Sequence, residues 1–166
     1  MYLRPFCYAA VETVSEAMAV LAEYGPEAKI LAGGQSLLPL IGLGLARPRL
    51  LVDINGLTEL EGIRDEGERL YIGALVRYRT LERHPTVGAG CPLLTEAARL
   101  VGNIRVRNRG TVGGSLAHAD PAAELPCAVL ALGGEVEVLG PEGRRWVPAA
   151  DFFVGPLQTA LRDREL

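Results

Sequence analysis

Residues 29–36, KILAGGQS, decide the fold prediction: a short apolar run, then two glycines, then a serine. We interpret residues 29–32 as a buried strand. The glycines turn the chain without a Cβ, and Ser36 begins an apolar helix over residues 37–45. A second strand follows at residues 49–54, RLLVDI. Strand, turn, helix and strand in this order predict a parallel βαβ unit.

The pattern changes after Gly56, where an antiparallel lobe is predicted. Two pairs of short apolar segments flank turn sequences, as in β-hairpins, at residues 60–64 with 69–73 and at 135–139 with 144–147. Short helices are predicted near residues 78–83 and 92–101, and a third has Pro121 in its first turn and runs through Leu132. The predicted fold class is α+β, with a small parallel α/β lobe at residues 1–56 and a second lobe, with mainly antiparallel sheet, at residues 57–166.

A second glycine segment, Thr111-Val112-Gly113-Gly114-Ser115, has the same chemical character as the first. Each offers bare amides, small side chains and a hydroxyl, which let a backbone approach phosphate closely. Two such segments indicate a ligand with two phosphates, held from both sides. The alternative is structural: a strand-to-helix turn for the first segment, and a glycine bulge or turn after solvated arginines for the second.

Composition excludes several classes of function. The 166 residues carry a net charge of −3, which argues against binding to nucleic acid or an anionic membrane. Cys7, Cys91 and Cys127 are isolated, so we expect no disulfide framework, zinc site or iron–sulfur cluster held by this chain alone. The N-terminus lacks the apolar stretch of a signal peptide, and no stretch is long enough to span a membrane, so a cytoplasmic location is expected.

No residue pattern predicts a catalytic group on this chain. There is no nucleophile elbow, metal-binding histidine pair or carboxylate dyad. Glu124 falls near the first turn of the predicted Pro121 helix, where it either caps the helix or accepts ribose hydroxyls. His118 is interpreted as a turn histidine rather than a proton carrier. Electron chemistry at this site would therefore need a cofactor.

Five ordered blocks of sequence carry a family resemblance. They are residues 29–39 (KILAGGQSLLP) with 72–74 (IGA), 108–115 (NRGTVGGS), 120–124 (DPAAE), 152–155 (FFVG) and 159–161 (TAL). Together they resemble the medium, FAD-binding subunit of the molybdenum hydroxylases, the family of carbon monoxide dehydrogenase and xanthine dehydrogenase.

The resemblance implies a two-lobed fold with FAD in the cleft and its pyrophosphate between the glycine segments. Glu124 takes the ribose role, and Gly102 lies near the flavin side. The implied FAD-binding residues are Lys29, Leu31, Ala32, Gly33, Gly34, Gln35, Ser36, Leu37, Gly102, Thr111, Val112, Gly113, Gly114, Ser115, His118, Asp120 and Glu124. Related proteins often have histidine, threonine or aspartate in place of Gln35, and asparagine in place of Ser115.

The resemblance also implies an electron relay. FAD receives electrons that originate at a molybdenum-cofactor large subunit and pass through an iron–sulfur small subunit, and it delivers them to an external acceptor. Family members continue beyond the position of Leu166. The alternative is therefore a truncated relative that binds FAD weakly or not at all and acts as a structural or interaction protein, with self-association as one outcome. A flavin oxidase acting alone is less favoured.

Overall fold

The structure, a computed structural model, describes residues 5–166 and has the predicted α+β fold. Strands β1 (Cys7–Ala10), β2 (Ala28–Leu31) and β3 (Leu50–Asp53) form a parallel sheet in the order β1-β3-β2. Helix α2 (Leu37–Gly42) connects β2 to β3, so the predicted βαβ unit is confirmed. Strand β1 was not predicted; because it pairs with β3 along its full length, β3 is central and buried.

Helix α1 (Val14–Tyr24) packs on this sheet. The Thr13 hydroxyl accepts a hydrogen bond from the Glu16 amide at 3.1 Å, which caps the helix N-terminus. Ala17 and Leu21, four residues apart, are buried on one face of the helix. This face packs against the parallel sheet.

Helix α2 is shorter than predicted and ends at Gly42 rather than near Leu45. The chain turns back because Gly44 adopts a left-handed φ of 75°, and the amides of Leu45 and Ala46 donate to the Leu40 carbonyl. The side chain of Ser36 makes no capping hydrogen bond within residues 5–166. The N-terminus of α2 therefore has no side-chain cap among the described residues.

The remaining strands pair in antiparallel fashion, in three separate two-stranded ladders. They are β4 (Ile63–Asp65) with β5 (Leu70–Ile72), β6 (Glu135–Gly140) with β7 (Gly143–Pro148), and β8 (Phe153–Gly155) with β9 (Gln158–Thr159). The first two ladders are the predicted hairpins, which are confirmed. The third was not predicted.

Helices fill the space around these ladders. They are α3 (Tyr78–Leu81), α4 (Pro85–Gly90), α5 (Pro92–Leu100), α6 (Ile104–Arg109), α7 (Val112–His118), α8 (Glu124–Ala131) and α9 (Ala149–Phe152). The helices predicted near residues 78–83 and 92–101 correspond to α3 and α5.

Two expectations after residue 110 need correction. The second glycine segment is neither a turn nor a bulge, because it forms the first turn of α7, with Thr111 as its cap. Helix α8 begins at Glu124 rather than around Pro121. The Asp120 carboxylate accepts a hydrogen bond from the Ala122 amide at 2.9 Å, which holds residues 120–123 in a turn.

Buried apolar side chains form two clusters. The first joins the parallel sheet and α1, and it includes Leu57 and Leu75. The second extends from Val76 to Phe152. A lobe boundary near Gly56 stays a prediction, and Leu57 and Leu75, which follow that boundary, pack into the first cluster. No helix within residues 5–166 has the length and apolar character needed to cross a membrane.

The last described residues return to the second lobe. Leu166 and Leu139 exchange two backbone hydrogen bonds of 2.8 Å. The Glu165 carboxylate accepts two hydrogen bonds from Arg145, at 3.0 and 2.7 Å, and one from the Arg162 amide at 2.8 Å. The Arg145 guanidinium is the main cause that lowers the pKa of Glu165, and burial opposes it.

We expect Arg145→Gln to destabilise the fold more at about pH 7 than at about pH 3. The pKa of Glu165 is lower in the folded state than its unfolded value, so the pairing stabilises the protein above the ordinary glutamate range and is lost as pH falls through the folded-state pKa. Urea midpoints at both pH values measure this. Arg144→Gln is the matched control, because its pair with Glu137 is exposed and contributes little. An equal loss for Arg145→Gln at both pH values would contradict the expectation.

Candidate functional site

The first glycine segment presents a run of free backbone amides at the carboxyl end of β2. The amides of Gly33, Gly34, Gln35, Ser36 and Leu37 donate no hydrogen bond to any group in residues 5–166. Gly34 has a φ of 72°, the left-handed conformation that glycine adopts without strain. A run of free amides that includes a left-handed residue is typical of an anion-binding nest.

The first glycine segment lies against Arg109 and Gly110, which directly precede the second segment. An ideal Cβ on Gly33 would lie 2.5 Å from the carbonyl oxygen of Arg109 and 2.8 Å from the Cα of Gly110. Both are backbone atoms, and both distances are shorter than real Cβ contacts allow. Gly33 is therefore a glycine because another segment of the chain passes directly over it.

The second glycine segment is bound differently from the first. The amides of Val112 and Gly113 donate to the carbonyls of Val76 and Ala74, at 3.0 and 2.8 Å. Those of Gly114 and Ser115 donate to the hydroxyl and carbonyl of Thr111, at 3.2 and 3.1 Å.

That residues 111–115 donate amides to phosphate stays a prediction, and the structure weighs against it for the four residues after Thr111. Their N–H groups are already satisfied by the protein. Only the amide of Thr111 donates no hydrogen bond to another group in residues 5–166. The two segments therefore differ: the first has backbone amides that the protein does not use, whereas the amides of the second are used apart from that of Thr111.

Tyr78, Ser115 and Glu124 lie together beside the second segment. Burial raises the pKa of the Tyr78 phenol, the Ser115 hydroxyl lowers it by hydrogen bonding, and the Glu124 carboxylate raises it. The Tyr78 ring also covers Gly110, where an ideal Cβ would lie 2.5 Å from Cε2 of the ring. Glu124, at the start of α8, is therefore close to the second glycine segment, as its predicted ribose role requires.

The other predicted ligand residues are less directly placed. Lys29 lies within β2, opposite Leu51, with an exposed side chain. Gly102 lies in the turn before α6, with a φ of 43° and with Val106 nearest to its Cβ position. His118 ends α7, and Asp120 forms the turn described above. Contacts between these residues and FAD stay predictions.

Sequence reasoning missed a polar network at the carboxyl edge of the sheet. Asp53, at the end of β3, accepts hydrogen bonds from the Tyr8 hydroxyl and the Asn55 side chain, both at 2.6 Å. Asn55 also donates to the Ala32 carbonyl at 2.9 Å. Arg77 donates to the Asn55 side-chain oxygen at 2.6 Å. The signal was available, because ligands of open α/β sheets bind outside the carboxyl ends of the strands.

The network carries a fixed charge distribution. Partial burial raises the pKa of Asp53, but hydrogen bonds from Tyr8 and Asn55 and the charge of Arg109 outweigh it, so the pKa lies below its ordinary value. Burial lowers the pKa of Arg77, as does the neighbouring Arg109. Arginine nevertheless stays protonated in proteins, so a carboxylate and two guanidinium groups lie close to one another at neutral pH.

Comparison with known proteins identifies the family of this chain. A family model described as the FAD binding domain in molybdopterin dehydrogenase matches residues 4–166. The chain belongs to this family. Both the sequence resemblance and FAD as the cofactor of the domain are therefore confirmed.

Relatives of this FAD-binding domain agree along almost the whole chain. The carbon monoxide dehydrogenase medium chain of Hydrogenophaga pseudoflava is 46% identical over 161 residues, which cover 97% of this chain and 56% of that protein. The glyceraldehyde dehydrogenase medium chain of Sulfolobus acidocaldarius is 38% identical over 166 residues, which cover 100% of this chain and 59% of the relative. The chain thus spans a little over half the length of these curated relatives.

Solved structures agree with the fold. A chain in carbon monoxide dehydrogenase from H. pseudoflava, in a form that lacks the Mo-pyranopterin moiety of the molybdenum cofactor, superposes with a TM-score of 0.97 at 46% identity. A chain in quinoline 2-oxidoreductase from Pseudomonas putida 86 gives a TM-score of 0.97 at 40% identity. Each match covers 100% of this chain and 58% of the other.

The residues present fit the pyrophosphate of FAD. Phosphate oxygens need hydrogen-bond donors that the protein does not already use, and residues 33–37 supply five of them in sequence. The neighbouring guanidinium groups of Arg77 and Arg109 add positive charge. The fit is therefore strongest at the first glycine segment.

Proposed function

We propose that this chain is the FAD-binding, electron-transferring part of a molybdenum hydroxylase-like oxidoreductase. The observation that carries the proposal is the run of five free amides at residues 33–37, lying against the entry to the second glycine segment. A run of backbone amides that the protein itself does not use, with a left-handed residue in it, is typical of an anion site, so it favours a bound anion. The family to which the chain belongs supplies the identity of that anion.

The chain's own contribution is binding and orientation. Residues 33–37 hold the pyrophosphate, and the Ser115 hydroxyl and Glu124 carboxylate lie where they can contact the rest of the ligand. FAD, when bound, supplies the electron transfer, receiving electrons from iron–sulfur clusters on a partner and passing them to an external acceptor. We assign no proton-transfer or nucleophilic role to any side chain.

The proposed partners are a molybdenum-cofactor large subunit and an iron–sulfur small subunit. The relatives named above are medium chains, which supports a multi-subunit assembly. A cytoplasmic location stays the prediction made from the N-terminal sequence. When the native complex is purified by an affinity tag on this chain, we expect it to contain molybdenum, iron and FAD together. A preparation that contains flavin but neither metal would contradict the electron relay.

Binding of FAD to the isolated chain of 166 residues is the direct test. We expect flavin absorbance to coelute with the protein in gel filtration. At a free FAD concentration of about 100 times the dissociation constant, binding stabilises the fold by about 2.7 kcal/mol, which corresponds to a rise in Tm of about 5–10 °C. Differential scanning fluorimetry measures that rise.

Riboflavin is the matched control, since it has the flavin ring without the pyrophosphate. We expect riboflavin at the same concentration to leave the Tm unchanged, because the free amides have no phosphate to bind. A colourless protein whose Tm does not respond to FAD would contradict the proposal and favour the structural or interaction role.

A further inference from the structure

We infer that Arg77 and Asn55 form a clamp that orients the pyrophosphate-binding amides, so that both are positioning residues for FAD. The inference rests on the proposed function. The clamp consists of three hydrogen bonds in series: Arg77 to the Arg109 carbonyl, Arg77 to Asn55, and Asn55 to the Ala32 carbonyl. It therefore ties the Ala32–Gly33 peptide and the Arg109–Gly110 peptide to one shared pair of side chains.

The link from Asn55 controls the direction of the Gly33 amide. Asn55 Nδ2 donates to the Ala32 carbonyl oxygen at 2.9 Å. That carbonyl and the Gly33 N–H belong to the same trans peptide, in which they point in opposite directions. Fixing the carbonyl towards Asn55 therefore directs the Gly33 N–H away from the network, where no group in residues 5–166 accepts it.

Gln35 acts on the next peptide in the same way. Its Nε2 donates to the Gly33 carbonyl at 3.1 Å, so the Gly34 N–H points away from that contact. The first two free amides of the run are thus oriented before a ligand arrives. Pre-orientation of this kind strengthens binding because the loop loses less freedom when the ligand binds.

Arg77 joins this loop to the second segment. One terminal nitrogen donates to the Arg109 carbonyl at 2.5 Å, and the other donates to Asn55 Oδ1 at 2.6 Å. A planar guanidinium can satisfy two acceptors at once in a fixed geometry, whereas an ammonium group is a single point charge on a flexible stem. The position therefore calls for arginine and not merely for positive charge.

Other charges near Arg77 do not replace the clamp. Asp53 and Glu61 are close enough to favour its charged form, and Arg109 opposes it. Asp53 itself is held by Tyr8 and Asn55. The residue that links Arg77 to the glycine loop by hydrogen bonds is Asn55.

The test measures the affinities of FAD and ADP for Arg77→Gln, Arg77→Lys and Asn55→Ala. ADP contains the same pyrophosphate without the flavin. We expect Arg77→Gln to raise the dissociation constants of both ligands by the same factor, roughly tenfold or more, as for other outer partners that orient binding groups. Arg77→Lys keeps the charge but cannot hold both acceptors, so its affinity is expected to be clearly below that of the wild type.

Arg145→Gln is the matched control, because Arg145 also makes several hydrogen bonds but lies on β7 in the second lobe. We expect its ligand affinities to equal those of the wild type. If Arg77→Lys bound FAD and ADP as tightly as the wild type, the positive charge alone would account for the role of Arg77, and the clamp would be overturned. A lowered Tm with unchanged affinities in Arg77→Gln and Asn55→Ala would show a structural role only. Failure of the wild type to bind FAD would instead overturn the proposed function.

Discussion

Replacing Gly33 with alanine is expected to abolish FAD retention and to destabilise the fold by about 1–3 kcal/mol, the range for overpacking a well-packed site. The new Cβ would lie 2.5 Å from the Arg109 carbonyl oxygen, whereas ordinary Cβ contacts begin near 3.4 Å. The opposing backbone cannot easily retreat. The Arg109 carbonyl is held by Arg77, and the Gly110 amide donates to the Val106 carbonyl at 2.7 Å.

The two effects of Gly33→Ala share one cause, because separating the segments also moves the free amides. Flavin content after gel filtration and the urea midpoint measure them. Gly90→Ala is the control: it lies at the end of α4, and its Cβ would meet nothing within 4 Å. We expect that variant to keep its flavin and its stability. Wild-type flavin content in Gly33→Ala would show that contact between the segments is not needed for binding.

The elements that could be predicted are those that a local sequence pattern determines. The apolar runs of β2 and β3, with the glycine turn between them, were enough to predict the parallel unit. Strand β1 was missed because its four residues, Cys7–Ala10, belong to a short apolar run at residues 6–11 that shows no alternation and so does not distinguish a strand from a helix. It exists because β3 offers an unpaired edge, which is a property of the tertiary fold.

Helix α7 shows why local propensity failed at the second glycine segment. Two successive glycines disfavour a helix by roughly 1 kcal/mol each relative to alanine. The helix forms because Thr111 caps it and because the carbonyls of Ala74 and Val76 accept the first two amides. Those acceptors lie some forty residues earlier in the chain, so no local pattern could reveal them.

The sequence alone indicated which segments form the candidate site, but it did not indicate which contacts each glycine makes. Both glycine segments were identified from their residue types alone. Their glycines allow different close contacts, however: Gly33 packs against the Arg109 backbone, and Gly113 packs against Ala74. Arg77 and Asn55 carry no motif of their own, and only the fold brings them to the loop.

Replacing Gly113 with alanine is expected to destabilise the protein by about 1–3 kcal/mol even though alanine is the better helix former. The added Cβ would lie 2.6 Å from the Cβ of Ala74, 2.9 Å from its Cα and 3.0 Å from its carbonyl oxygen. That carbonyl also accepts the Gly113 amide at 2.8 Å, so relieving the clash breaks the hydrogen bond. Urea denaturation of the variant measures the loss.

Gly114→Ala is the matched comparison, one residue further along the same helix. Its Cβ would meet only the Thr111 hydroxyl, at 2.7 Å, and that side chain can rotate away at the cost of the cap. We therefore expect a smaller loss than for Gly113→Ala, since the gain in helix propensity offsets a lost cap of about 1 kcal/mol. Adding Ala74→Gly to Gly113→Ala removes the shortest contact and should recover part of the stability. If Gly114→Ala were the more damaging variant, or if Ala74→Gly gave no recovery, the segment would not be held by its contact with Ala74.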